Sequence, residues 1–292
     1  KHMSFSQVLR LRRLEQLQTQ VTGEMERNAS IANGSITASQ RAAVELSIRS
    51  AKATVDAALP AGIDTVMLGR MGIEWNRLPT GTLEALAGIA GDGKPLSNLL
   101  APLGAEARDG VIQGLAEGIA LGKSPRETAR IIRDRFGMPL TRSLTISRSE
   151  TIRAYRESTR MQYQANSAVV KGFRRSTARD ERVCVACLAL DGQLQETDEL
   201  LPSHPNCRCG LIPVTIGYRD LGLNVPEDTR EPERAQQWFE DQSEATQRRV
   251  MGDARFEAWQ DGRFRFEDMA TVTPNATWGP TLSVTPLKEL VR

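Results

Sequence analysis

All four cysteines of this chain fall between Cys184 and Cys209, and their spacing suits a divalent metal ion. In Cys184-Val185-Ala186-Cys187 a tight turn over two intervening residues sets both sulphurs on one side, within reach of one ion. At hairpin distance, His204-Pro205-Asn206-Cys207-Arg208-Cys209 offers three more donors. Cys207 and Cys209, two apart, share one face if the chain is extended. His204 and Cys207, three apart, can instead bind together from a turn. The pattern predicts a structural zinc site of Cys184, Cys187 and Cys207, completed by either His204 or Cys209. Four protein donors leave no open position for water, so the expected contribution is folding energy and not Lewis-acid catalysis. Disulfides are the competing use of these cysteines. Clustering in a chain expected to be soluble and unsecreted favours metal.

Three catalytic constellations compete with this reading. An HNH-type nuclease joins a cysteine zinc site to a hairpin, but it needs a histidine base and further ligands for a catalytic metal. Only His2 and His204 exist, and Lys1-His2-Met3 reads as a cloning or processing remnant. A zinc deaminase needs H-x-E ahead of P-C-x-x-C, whereas here Val183 precedes the first cysteine and the histidine follows it. Ser147-Arg148-Ser149-Glu150 holds an Arg and a Glu that evoke ADP-ribosyl transfer, but inside a predicted helix. No phosphate-binding loop and no G-x-S-x-G occurs. The chain is therefore expected not to be an enzyme.

The elements that position the cysteines are expected to be mainly helical. Aromatics make up 5% of residues and the net charge is +2, which argues against wholesale coating of nucleic acid and leaves only local contact. No stretch is long and apolar enough to span a membrane. Phe5, Val8, Leu11, Leu14, Leu17 and Val21 mark one apolar helical face from Ser4 to about Asn28. A polar break at Asn28 to Ser39 and a Thr37/Gln40 capping box then start a second helix ending near Pro60. Gly- and Pro-rich residues 60 to 102 predict short helices joined by loops. Gly110, Gly114, Gly118 and Gly122 form a bare stripe for tight helix packing. Ser124-Pro125-Arg126-Glu127 is a helix start, Gly137 a stop, and a final helix is expected from about Thr141 to Ala168. Asp191-Gly192 signals a hairpin between Leu188-Ala189-Leu190 and Gln193-Leu194-Gln195. Beyond Pro213, one helix from Glu233 to about Val250 precedes an extended tail suited to wrapping a surface, with Trp259, Pro274, Trp278, Pro280 and Pro286.

The fold class expected is thus a helical body with a small zinc-stapled β-hairpin module and an extended C-terminal tail. The divisions are an N-terminal arm (1–30), a helical domain (31–170), the zinc module (171–217) and a C-terminal extension (218–292). Between Arg142 and Arg182 ten basic residues face four acidic ones. Solvated faces and pairs such as Arg153 with Glu157 account for much of this excess, and contact with DNA, through Arg148, Arg153, Arg156 and Arg160, or with an acidic protein surface is expected to account for the rest.

Four pieces in order carry a family resemblance. They are Gly118 to Glu127, Ile146 to Thr151, Asp180 to Cys187 with Asp191-Gly192, and His204-Pro205-Asn206-Cys207-Arg208-Cys209. Over about residues 105 to 215 the chain resembles the phage Mu F-like head morphogenesis, or minor head, proteins. The tail around Trp238, Gly252, Trp259, Gly262 and Trp278 is similar to the ends of some members. The resemblance implies a minor virion component, present in few copies, that associates with portal protein and with capsid or scaffold proteins in the inner head. It implies assistance to DNA packaging or delivery, and residence in the virion after assembly in the host cytoplasm. Some relatives carry a toxin or transferase domain after this segment, but Tyr218 to Arg292 shows no such site. An HNH-like nuclease and a DNA-binding virion protein stand as the alternatives.

Overall fold

The computed structural model describes residues 12–228, 233–275 and 279–291. It is mainly helical with two small antiparallel sheets. Contacts divide the chain into two compact units, one running up to Arg41 and resuming over Ala87–Thr151, the other Ala42–Leu86 with the chain from Ile152 onward.

Helix α1, Arg12–Ala58, is continuous. Of the apolar arm expected from Ser4, Phe5, Val8 and Leu11 lie outside the described residues. The break expected at Asn28 to Ser39 does not form, because tertiary contacts override the polar run. Ile36 is buried against Leu96, Leu100 and Leu103. Gln40 is no capping residue: its fully buried amide accepts from Gly88 N (2.8 Å) and donates to Ile89 O (3.1 Å). Such satisfied burial rewards the helical conformation more than local propensity penalises it.

In the first unit, helix α4 (Ser97–Ala120) folds back on the start of α5 (Pro125–Gln164). The glycine stripe does what its spacing predicts over three of its four members. A Cβ on Gly110 would meet Arg135, one on Gly114 would come within 2.9 Å of Ile132 Cγ1, and one on Gly118 would overlap Thr128. Gly122 has another role. Its φ of 62° and the bonds Gly122 N to Ile119 O (3.2 Å) and Lys123 N to Gly118 O (2.8 Å) end α4 in a Schellman motif. Ser124 then opens α5 with a reciprocal capping box, Glu127 Oε2 accepting from Ser124 N (2.9 Å). The stop expected at Gly137 is absent and α5 runs on to Gln164. One glycine costs a helix only about 1 kcal/mol, too little to interrupt it.

In the second unit, short helices α2 (Thr65–Arg70) and α3 (Thr80–Glu84) follow α1 as the Gly/Pro-rich composition suggests. The C-terminal parts of α1 and α5 meet along a seam of hydroxyls, Ser47 with Ser158, Ser50 with Tyr155 and Thr54 with Tyr163. Strands β1 (Val170–Ser176), β2 (Leu194–Glu196) and β3 (Gly210–Thr215) form a sheet of order β2-β1-β3. Its inner face carries Phe173, which packs with Val55, Leu68, Tyr163 and Leu221. The Asp191-Gly192 hairpin is not observed in the expected form. Residues Val185–Ala189 are a short helix, α6, and the strand after the turn pairs with β1 instead. Gly192 does take positive φ, 73°. Asp191 is held by Thr177 N (2.7 Å), Thr177 Oγ1 (2.9 Å) and Ala235 N (3.0 Å), long-range partners that short-range turn statistics do not contain.

The C-terminal segment folds where an extended tail was expected. Helices α7 (Ala235–Glu240), α8 (Glu244–Met251) and α9 (Asp253–Gln260), a 3₁₀ turn (Phe266–Met269), the hairpin β4 (Ala270–Thr273) and β5 (Thr281–Val284), and α10 (Leu287–Leu290) enclose an apolar core. Phe239 is fully buried at its centre, 5.6 Å from the Trp259 ring and 5.5 Å from that of Phe266. Aromatic pairs of this kind supply enough apolar area to order a short segment. Trp278 lies outside the described residues.

Candidate metal centre

Cys184 sits at the extended position before α6 (φ −79°, ψ 131°), and Cys187 follows three residues later in its first turn. That geometry puts both sulphurs on one side of the turn. On the other half-site, Asn206 takes φ 60° and Cys207 N donates to His204 O (3.0 Å), closing a turn with Pro and Asn at its central positions. The chain then extends towards β3. Cys207 and Cys209 are buried, while Arg208 between them is exposed and grips Asp180 with two 2.6 Å bonds. Both arrangements considered for this half-site, the His-x2-Cys turn and the Cys-x-Cys alternation, therefore occur together.

The five donors converge. Cys184, Cys187 and His204 form one group and Cys187, Cys207 and Cys209 another, with donor atoms inside each group within 4.8 Å of one another. Cys187 belongs to both. Its sulphur is 3.2 Å from His204 Nε2 and 4.0 Å from Cys207 Sγ. Zinc–donor bond lengths in a tetrahedron give edges of about 3.6 Å for S···N and about 3.8 Å for S···S. Each three-donor group thus has spacing that could hold a metal ion, and the two groups share Cys187. Cys184, Cys187, His204 and Cys209 line a cavity of about 30 Å³ rimmed by Arg182 and Arg208, room for one small occupant.

Protonation is shared across the cluster. The Cys187 sulphur, and after it His204, hold the Cys184 thiol down at about 4. Cys187, followed by Cys209, His204 and the Arg156 guanidinium, holds Cys207 far below the ordinary thiol range. Cys187 is raised, first by Cys184 and then by Cys207. For Cys209 the pull of Cys187 downward is outweighed by Cys207 and burial, leaving it raised. Cys184 and then Cys207 push His204 up to about 10. His204 Nδ1 is 2.8 Å from Pro205 O, and a carbonyl can only accept, so Nδ1 carries a proton and Nε2 is the ring atom turned to the sulphurs.

Three features of the surroundings escaped sequence reasoning. Arg156 Nη1 donates to Cys207 Sγ (3.4 Å), and Arg175 Nη1 to Cys187 Sγ (3.9 Å). Leu282 of β5 packs directly on Cys187, Cys207 and Cys209, with Ala270 and Val284 beside it. The same strand fixes the loop before His204, Ser203 N donating to Pro280 O (3.1 Å) and Leu282 N to Ser203 O (2.8 Å). For Arg175 a signal existed, since it lies two residues from inward-facing Phe173 on β1. Nothing local marks Leu282.

The arginines expected to contact DNA do not form one exposed face. Arg148 is exposed and Arg153 half-buried, but Arg156 is buried against the cluster. Arg160 is turned in, bonding Glu157 Oε2 (3.0 Å) and Thr197 O (2.6 Å). Glu157 thus pairs with Arg160 where Arg153 was expected. Among the described residues no helix is long and apolar enough to cross a membrane.

Residues 109–212 match the family model described as Phage Mu protein F like protein. This chain carries a Mu F-like segment. All five donors lie inside it, as do Arg156 and Arg175, whereas Leu282 and the aromatic core around Phe239 lie beyond its end. No curated protein and no solved structure matches the chain.

Proposed function

We propose that this chain is a minor head protein of a phage, a non-enzymatic virion component that associates with portal protein and the inner capsid during head assembly and carries one structural zinc. The observation that supports this most is the Mu F-like match over residues 109–212, which encloses the whole Cys/His cluster. Four of Cys184, Cys187, His204, Cys207 and Cys209 would hold the ion and tie the α6 turn to the approach of β3. A site closed by protein donors supplies folding free energy, on the order of 10 kcal/mol for structural zinc in small modules. The contact of His204 Nδ1 with Pro205 O and of its Nε2 with the Cys187 sulphur supports reading it as a donor and not as a solvent-facing base.

Co-expression of the full chain with portal and capsid proteins of the same phage tests the assembly role. Co-purification with a portal ring or with heads is the expected result, with no cleavage of DNA under any divalent ion. Loss of both associations, or metal-dependent DNA cleavage abolished by His204→Ala, would overturn it. Elemental analysis of the purified chain is expected to give one zinc per chain.

A further inference from the structure

Any four of the five donors include at least three cysteines. A divalent ion bound by their thiolates therefore forms a complex of net charge −1 or −2, buried among Ala186, Leu201 and Leu282. Burying such a charge without compensation is costly. Two guanidiniums are buried at the same place, Arg175 at 2% exposure and Arg156 at 7%. Arginine stays protonated in proteins, so each is a fixed positive charge. Among the described residues neither forms an ion pair with a carboxylate, although Arg160, one turn further along α5, pairs with Glu157. What each does touch is sulphur: Arg156 meets Cys207 of one half-site and Arg175 meets Cys187 of the other. Arg175 also donates through Nη2 to Pro202 O, so one planar fork spans the α6 turn and the loop leading to His204.

Resting on the zinc reading above, we infer that Arg156 and Arg175 are the counter-charges of a thiolate-bound divalent metal, one per half-site, and position Cys207 and Cys187 to receive it. Two buried cations without carboxylate partners are a liability to a purely structural core. Beside an anionic metal–thiolate complex they are balanced. Partners of this kind around metal ligands typically carry tenfold to hundredfold of the affinity.

The test uses the full chain and the variants Arg156→Met, Arg175→Met and Arg175→Lys. Zinc affinity is read by competition with a chromophoric chelator, and the sulphur-to-cobalt charge-transfer bands are recorded after loading with Co²⁺. Each methionine variant is expected to bind zinc about tenfold to hundredfold more weakly and to shift the cobalt bands. Arg175→Lys, which keeps the charge but not the fork, should fall between. Should Arg175→Met fail to fold, Arg156→Met and Arg175→Lys carry the test. Unchanged affinity and spectrum in the variants that fold, with wild type still binding one zinc, overturn this inference alone. A wild-type chain that binds no zinc overturns the zinc reading and this inference together.

Discussion

The α4–α5 hairpin of the first unit and the cysteine centre of the second both bring chain segments very close, by opposite chemical means. In the hairpin, side chains are removed. Gly110, Gly114 and Gly118 leave bare backbone against which Thr128, Ile132 and Arg135 fit, and the turn is closed by Gly122 and the Ser124 cap. In the centre, side chains are concentrated. Five donor residues, two buried arginines and a covering leucine meet within a few ångströms. The first arrangement is assembled from neighbours in sequence and should tolerate damage locally. The second joins α5, β1, α6, the approach to β3 and β5, so one lost group should be felt across all of them.

The largest expected effect follows from Cys187, the donor common to both groups. Cys187→Ser is expected to abolish stoichiometric zinc binding and to strip amide exchange protection from α6, β3 and the β4–β5 hairpin, while α4 stays protected. A strong chelator should do the same to the wild type. So should acid, because the thiolates must be deprotonated to bind and are progressively lost as the pH falls. Hydrogen exchange by mass spectrometry distinguishes these outcomes. Full protection of β4–β5 after the metal is removed would show that the two regions do not differ in the manner argued.

Leu282→Ala comes next. Truncating a buried leucine costs about 2–5 kcal/mol, and here the cavity opens directly onto Cys187, Cys207 and Cys209. Chemical denaturation should show a loss in that range, and chelator competition a faster release of zinc. Zinc release as slow as in wild type would mean that β5 covers the cysteines without protecting them.

How far each region was legible in the sequence follows from the same contrast. The hairpin's stripe, cap and helix start are local signals, and Ser124, Glu127 and the glycines at four-residue steps perform the parts their spacing suggests, Gly122 excepted. The donors of the centre were legible as residue types. So was the meeting of the two half-sites; the spacing left open whether His204 or Cys209 joins them, because a His-x2-Cys turn and a Cys-x-Cys strand each satisfy it and the fold uses both. Arg156 looked like one of several surface arginines, and only tertiary packing turns it to Cys207. The helix breaks expected near Asn28 and Gly137 failed for a related reason. Burial of Ile36 and Gln40, and the small penalty of one glycine, outweighed local preference. The C-terminal segment reads as an extended tail because its helices are short and Pro274, Pro280 and Pro286 punctuate its end, while the aromatic contacts of Phe239 that order it are long-range.

A third change strikes the hairpin alone. A side chain at Gly118 overlaps Thr128, so Gly118→Val should force α4 and α5 apart at a cost of about 1–3 kcal/mol. Thermal unfolding should move accordingly, with zinc content and the cobalt spectrum as in wild type. A loss of zinc in this variant would mean that the hairpin and the metal centre are coupled, against the separation argued above.

Ser124→Ala carries the smallest expected effect and the sharpest comparison. The serine accepts from Glu127 N (3.3 Å) and its own N–H is bound by Glu127 Oε2 (2.9 Å), so the substitution removes half of a reciprocal cap at an exposed helix start. Such losses are typically about 1 kcal/mol. The deletion of one oxygen here should therefore shift the denaturation midpoint slightly and expose only the amides of the first turn of α5 to exchange. The deletion of one sulphur at Cys187 should open four elements. If the two substitutions produced exchange patterns of similar reach, sequence locality would not be what sets the tolerance of each region. If they differ as expected, the helical hairpin loses structure by degrees, whereas the cysteine module keeps or loses it as a whole.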